Sequence, residues 1–121
     1  MSDLPLLLQR VREASGPDRE LDLFIWRWEH GFPPFKASFS DNRDPIYAVT
    51  ASLNAAVALV ERVRPGTCIL AEITPAKTLI NLHAEPVGEV GLWQPLAEAS
   101  TPPLALLAAL LASLTQEAQR E

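Results

Sequence analysis

Cys68 and His83 have the most obvious reactive potential in this 121-residue chain. Each lies in an apolar, β-branched run of period two, "TCILAEIT" and "KTLINLHA", and Pro75-Ala76 separates the runs. That pattern predicts an antiparallel hairpin. Positions 68 and 83 are equidistant from its turn, and opposed residues have Cβ atoms about 4.5–5.5 Å apart. A thiol and an imidazole so placed are the core of a cysteine hydrolase. A catalytic thiol, however, needs an electropositive, partly open setting. "TCILAEI" has instead the composition of a core strand, so Cys68 is expected to be a small buried structural residue. Glu72 and Asn81 belong to the solvated side of the same strands. No catalytic residue is assigned.

The second concentration of chemistry is "GPDRELD", Gly16 to Asp22, with three carboxylates in five positions. Pro17 suits the first position of a helix. Carboxylates in the opening turns favour the positive end of the helix dipole, by a few tenths of a kcal/mol to about 1 kcal/mol each. The segment therefore reads as a helix start rather than an acid–base pair. His30 and His83 are far apart, and no HExxH or CxxC motif exists. A zinc site would have to join Cys68 to scattered carboxylates, so no metal is expected. All five glycines stand alone, which leaves no phosphate-cradling loop and no cofactor signature. Arg43, Arg62, Arg64 and Lys77 are the residues that would contact phosphates if the chain sequestered a nucleotide signal.

These residues need elements to position them. Leu4, Leu7, Leu8 and Val11 make the i, i+3, i+4, i+7 stripe of a helix over 4–14, with Ser2 or Asp3 as cap and Pro5 early. A second helix runs over 17–30 with Leu21, Phe24, Ile25 and Trp28 as its buried face, and Gly31 ends it. Leu53, Ala56, Val57 and Val60 form the stripe of a third over 51–64, stopped by Pro65-Gly66. Strands follow at 67–74 and 77–84, and "EVGLWQPL" reads as a third strand. Ser100 or Thr101 caps a last helix over 102–118, apolar on every side from Leu104 to Leu111 and so expected to be covered on more than one face. Between 31 and 50, "FKASF" reads as a short strand and "SDNRDP" as a loop. The fold class is α+β: about four helices packed with a small antiparallel sheet of two or three strands, in a layered sandwich and a single domain spanning 1–121.

Composition narrows the function classes. At 48% hydrophobic residues the chain can bury a core. A net charge of −5 argues against direct nucleic-acid binding, which requires neutralising many phosphates. One cysteine excludes an internal disulfide, and the start carries no basic, apolar leader, so a cytoplasmic setting is expected. The longest apolar run, Pro102 to Ala112, is about half a bilayer span, so no membrane insertion is expected.

Three segments, "ASGPDRELD", "YAVTASLNAAVALVERVRPG" and "EASTPPLALLAALL", resemble, in that order, small phage and prophage proteins of the phage ABA-sandwich-domain family. The three segments make up about a third of the chain. Ala48-Val49 separates Tyr47 from Thr50 where the family has an adjacent pair, and Asn54 stands where aspartate is common. The resemblance implies helices packed on a small sheet and a phage context, and no reaction.

The aromatics suggest where binding would occur. Trp26 sits about 200° around its helix from Trp28, so one layer cannot bury both. Either the 32–47 segment folds back over Trp26, or Trp26, Phe32, Phe35 and Arg43 form an exposed surface for a partner or for self-association. The expected function is a non-enzymatic accessory protein that binds a host protein, such as a defence complex, with homo-oligomers possible. The alternative is a small-molecule or nucleotide-signal binding module, and the weaker one a Cys/His hydrolase.

Overall fold

Among the described residues the spacing of apolar residues is realised in four helices and three strands. Leu4–Glu13 forms α1, Arg19–Glu29 α2, Leu53–Val63 α3, Cys68–Ile73 β1, Thr78–His83 β2, Ala97–Ala99 β3 and Pro102–Arg120 α4. The computed structural model describes residues 3–31, 33–35, 48–83 and 97–120. The expected strand in "FKASF", the "SDNRDP" loop and the expected third strand over 89–96 lie outside the described residues.

α4 is the centre of the molecule. It packs against α1, α3, β2 and β3, while α2 packs on α1. Every residue from Leu104 to Ala112 is 5% exposed or less. The all-round apolar pattern is thus matched by neighbours on several sides, and each fully buried leucine contributes about 1.5–3 kcal/mol. Thr101 Oγ1 accepts the Leu104 amide at 3.4 Å and supplies the cap. The sheet has the order β1-β2-β3, antiparallel throughout. Its hairpin places Cys68 opposite His83 and Ile73 opposite Thr78, as the equidistance from the turn requires. Thr74 closes the turn: its amide donates to Lys77 O at 2.9 Å, and its hydroxyl oxygen accepts the Lys77 amide at 3.1 Å.

Several sequence expectations are corrected. Pro17 is not the first helical residue. Asp18 is the N-cap, its side chain accepting the Leu21 amide at 3.1 Å, and α2 starts at Arg19. Leu53 is exposed at the first turn of α3, where Leu59 takes its place in the core beside Ala56 and Val60. A strand forms at 97–99, a stretch that carries no strand signal of its own, because the Thr78–Ile80 edge of β2 pairs with it.

The carboxylates of "GPDRELD" serve the fold. Asp22 is 1% exposed and accepts from the Thr50 amide and hydroxyl, both at 2.8 Å, and from Arg19 Nη1 at 3.1 Å. The Thr50 hydroxyl also accepts the Asp18 amide at 2.9 Å. Its single proton goes to Asp22 Oδ1 rather than to Asp18 O, which is farther at 3.2 Å. Hydrogen bonds to a charged group contribute about 1.5–3 kcal/mol each. The clamp ties the start of α2 to the turn that leads into α3. Ser100 Oγ donates to Ser15 O at 3.3 Å, so the approach to α4 meets the approach to α2. The three segments that carry the sequence resemblance therefore touch one another.

Candidate functional site

The outward side of α1 and Phe35 enclose an open cleft of about 330 Å³, lined by Leu6, Gln9, Arg10, Glu13 and Phe35. Helix periodicity explains the α1 wall. Leu7, Leu8 and Val11 point into the core, which turns Gln9, Glu13 and the off-stripe Leu6 outward. Leu6 is 55% exposed and Phe35 38%. Two large apolar side chains thus face solvent beside a guanidinium and a carboxylate.

Phe35 is held by α2. Arg27 is 5% exposed and donates from Nη1 to Pro34 O at 3.1 Å. This draws the chain after Gly31 back along the helix. Gly31, at φ +83°, makes the reversal possible, since that conformation strains any residue with a Cβ. The Phe35 ring then meets Phe24 edge to face, with centroids 5.0 Å apart at 66°. Arg10 and Arg27 lie 5.5 and 5.8 Å from the Phe24 ring centre, within cation–π range. Arg10 also donates to Glu20 Oε1 at 3.0 Å, while its Nε is buried and finds no acceptor among the described residues. The cleft therefore sets two exposed apolar side chains, Leu6 and Phe35, beside the charges of Arg10 and Glu13. Among the described residues that line it, none is a nucleophile beside a base.

The residues proposed from sequence are not brought together as drawn. Trp26 is 7% exposed and stacks on His30, with centroids 4.4 Å apart at 26°. It takes no part in an open patch, because α2 is covered along two adjacent stripes, Leu21–Ile25 and Asp22–Trp26. Trp28, expected in the buried face, is only partly covered. Phe35 lies at the surface as proposed, but its ring partner is Phe24. Phe32 and Arg43 lie outside the described residues. Leu6, Arg10 and Phe24 were missed. Leu6 had a signal, being apolar and one residue off the α1 stripe; Arg10 had none.

The other candidates divide similarly. Arg62 donates to Glu29 from Nε at 2.6 Å and from Nη2 at 3.0 Å. Arg64 pairs with Glu117, and Lys77 lies 3.7 Å from Glu98. Each cation is committed to a different carboxylate, so the three do not converge on a phosphate. Cys68 is half-buried rather than fully buried, because β1 is an edge strand. Among the described residues no three of His, Cys, Asp and Glu gather to hold a metal, and no helix is long and apolar enough to cross a membrane.

Comparison with known proteins adds no relative: no family model, no curated protein and no solved structure matches this chain.

Proposed function

We propose that this chain is a non-enzymatic binding protein that engages another protein through the α1–Phe35 cleft. The observation that carries the reading is the pairing of exposed Leu6 and Phe35 across a cleft edged by Arg10 and Glu13. Aromatic and arginine side chains anchored in a preformed surface dominate the energetics of protein interfaces. Phe35 is preorganised by Phe24 and Arg27, so little conformational entropy is lost when it is covered. Taken with the resemblance to phage proteins, the partner is a host protein, and the chain is a phage or prophage accessory protein directed against a host factor such as a defence complex.

The test compares retention of a stoichiometric protein from host lysate by the native chain and by Leu6→Glu with Phe35→Ala. The reading requires a retained protein that the double variant loses while its circular dichroism is unchanged. Retention unaffected by the double variant, or no retained protein, would sink it.

One observation favours a second reading. The cleft volume is at the lower end of small-molecule sites, about 300–1,000 Å³. Native mass spectrometry of the purified chain separates the two, since a sequestering module carries a co-purifying small molecule.

A further inference from the structure

The outer edge of β1 is a second interaction surface, separate from the cleft. Its hydrogen-bonding groups follow from the hairpin turn. The Thr74 amide bonds to Lys77 O, so residues 74 and 77 form a hydrogen-bonded pair. Hydrogen-bonded and non-bonded pairs alternate along an antiparallel ladder. With the observed register, Cys68, Leu70 and Glu72 turn their N–H and C=O groups toward β2. Ile69, Ala71 and Ile73 turn theirs to the open edge.

Among the described residues nothing pairs with that edge. Residues 71–77 are all exposed, and Ile73 is 58% exposed. Sheet edges in monomeric proteins are blunted by proline, inward-pointing charge, a bulge or short length. The opposite edge, β3, is three residues long. β1 has six residues, no proline and an unbroken register with β2. Its one charge, Glu72, lies on the sheet face away from α4, so the outward-bonding row reads Ile, Ala, Ile. On the α4 side, Ile73 lies opposite Thr78, which is buried, yet is itself uncovered.

We infer that β1 pairs antiparallel with β1 of a second copy of this chain, about a two-fold axis at Ala71, giving a six-stranded sheet. The row is self-complementary about that axis. Ala71 meets Ala71 of the second copy, and Ile69 meets its Ile73. All three pairs are of the hydrogen-bonded kind, giving about six backbone hydrogen bonds. Each exposed Ile73 gains a β-branched neighbour, a favourable cross-strand pair. Charge selects among registers. Centring on Glu72 would set two carboxylates face to face, whereas centring on Ala71 sets each Glu72 against Leu70. Centring on Leu70 would keep the charges apart but leave Ile73 against Thr67.

Sedimentation over a range of concentrations, with cysteine crosslinking, tests both the pairing and the register. The native chain is expected to give a concentration-dependent dimer. Ala71→Pro removes an edge N–H that β2 does not use, and proline is tolerated on edge strands. It is expected to give a monomer with unchanged circular dichroism. Ile73→Lys, which cannot disturb the core, is expected to weaken the dimer at least tenfold and decides the matter if Ala71→Pro fails to fold. In a Cys68→Ser background, Ala71→Cys is expected to form an intermolecular disulfide on oxidation, and Leu70→Cys is not. A native chain monomeric at every concentration overturns the inference, including the case where a strand from a different protein occupies the edge. A dimer that survives Ile73→Lys also overturns it, and crosslinking at 70 instead of 71 overturns the register.

Discussion

Helix α4 and strand β1 are both apolar runs, "LALLAALLA" and "CILAEI", and they are buried to very different degrees. Leu104 to Ala112 are closed off from solvent. In β1 the first three residues are half-buried and the last three exposed. Leucine and isoleucine gain the same from burial wherever they sit, so composition does not explain the contrast. Position does. α4 has helices and strands around it, whereas β1, among the described residues, has one strand beside it and an open edge on the other side. The core therefore depends on α4, and β1 is left available for contact.

Equivalent insults to the two regions should give very unequal results. Leu107→Asp buries an unpaired charge among α1, α3 and the sheet. It is expected to cost about 4 kcal/mol or more, enough to unfold much of the population, as read by urea denaturation. A loss under about 1 kcal/mol would mean that α4 is not the centre. Ile73→Lys, a comparable apolar-to-charged change, is expected to alter monomer stability by no more than about 0.5 kcal/mol, measured at dilutions where the chain is monomeric.

Two effects of intermediate size sharpen the contrast by probing polar ties. Asp22→Ala strips the acceptor from the buried Thr50 amide and hydroxyl, and the expected loss is about 2–3 kcal/mol in a urea melt. Thr50→Val removes part of the same clamp, so a double-mutant cycle should show coupling rather than additivity. Arg27→Ala frees Pro34 O and leaves Phe35 without its support, with an expected cost of about 1–2 kcal/mol. Binding of the proposed protein partner should weaken further than stability does, since the cleft loses its preorganised wall. Equal partner affinity in Arg27→Ala and the native chain would show that Phe35 needs no such positioning.

Helices 4–14 and 102–118, the hairpin register and the α+β class were legible because each rests on local signals. Periodicity, caps and a two-residue turn act within a few positions. The limits of α2 shifted because Asp18 competes with Pro17 for the start, and the side chain that satisfies an open amide takes the cap. The site was less legible. Phe35 was visible as an aromatic beside prolines, but its partner Phe24 and the cleft wall at Leu6 and Arg10 come from packing between separate helices. Trp26 illustrates the same limit from the other side. Helix geometry correctly places it away from Trp28, and only neighbours beyond the helix decide that it is covered.

Sequence by itself determined α1 to α4 in outline, the β1–β2 hairpin and the alignment of its strands, because those choices depend on bonds and side chains a few residues apart; β3 formed because β2 offered it an edge. Tertiary structure alone decided what those stretches are for. It turned the Asp22 carboxylate into a clamp on Thr50, 28 residues away, closed Trp26, opened Phe35 and left the edge of β1 bare. Burial is a property of the surroundings, and the surroundings are supplied by parts of the chain that no local pattern connects.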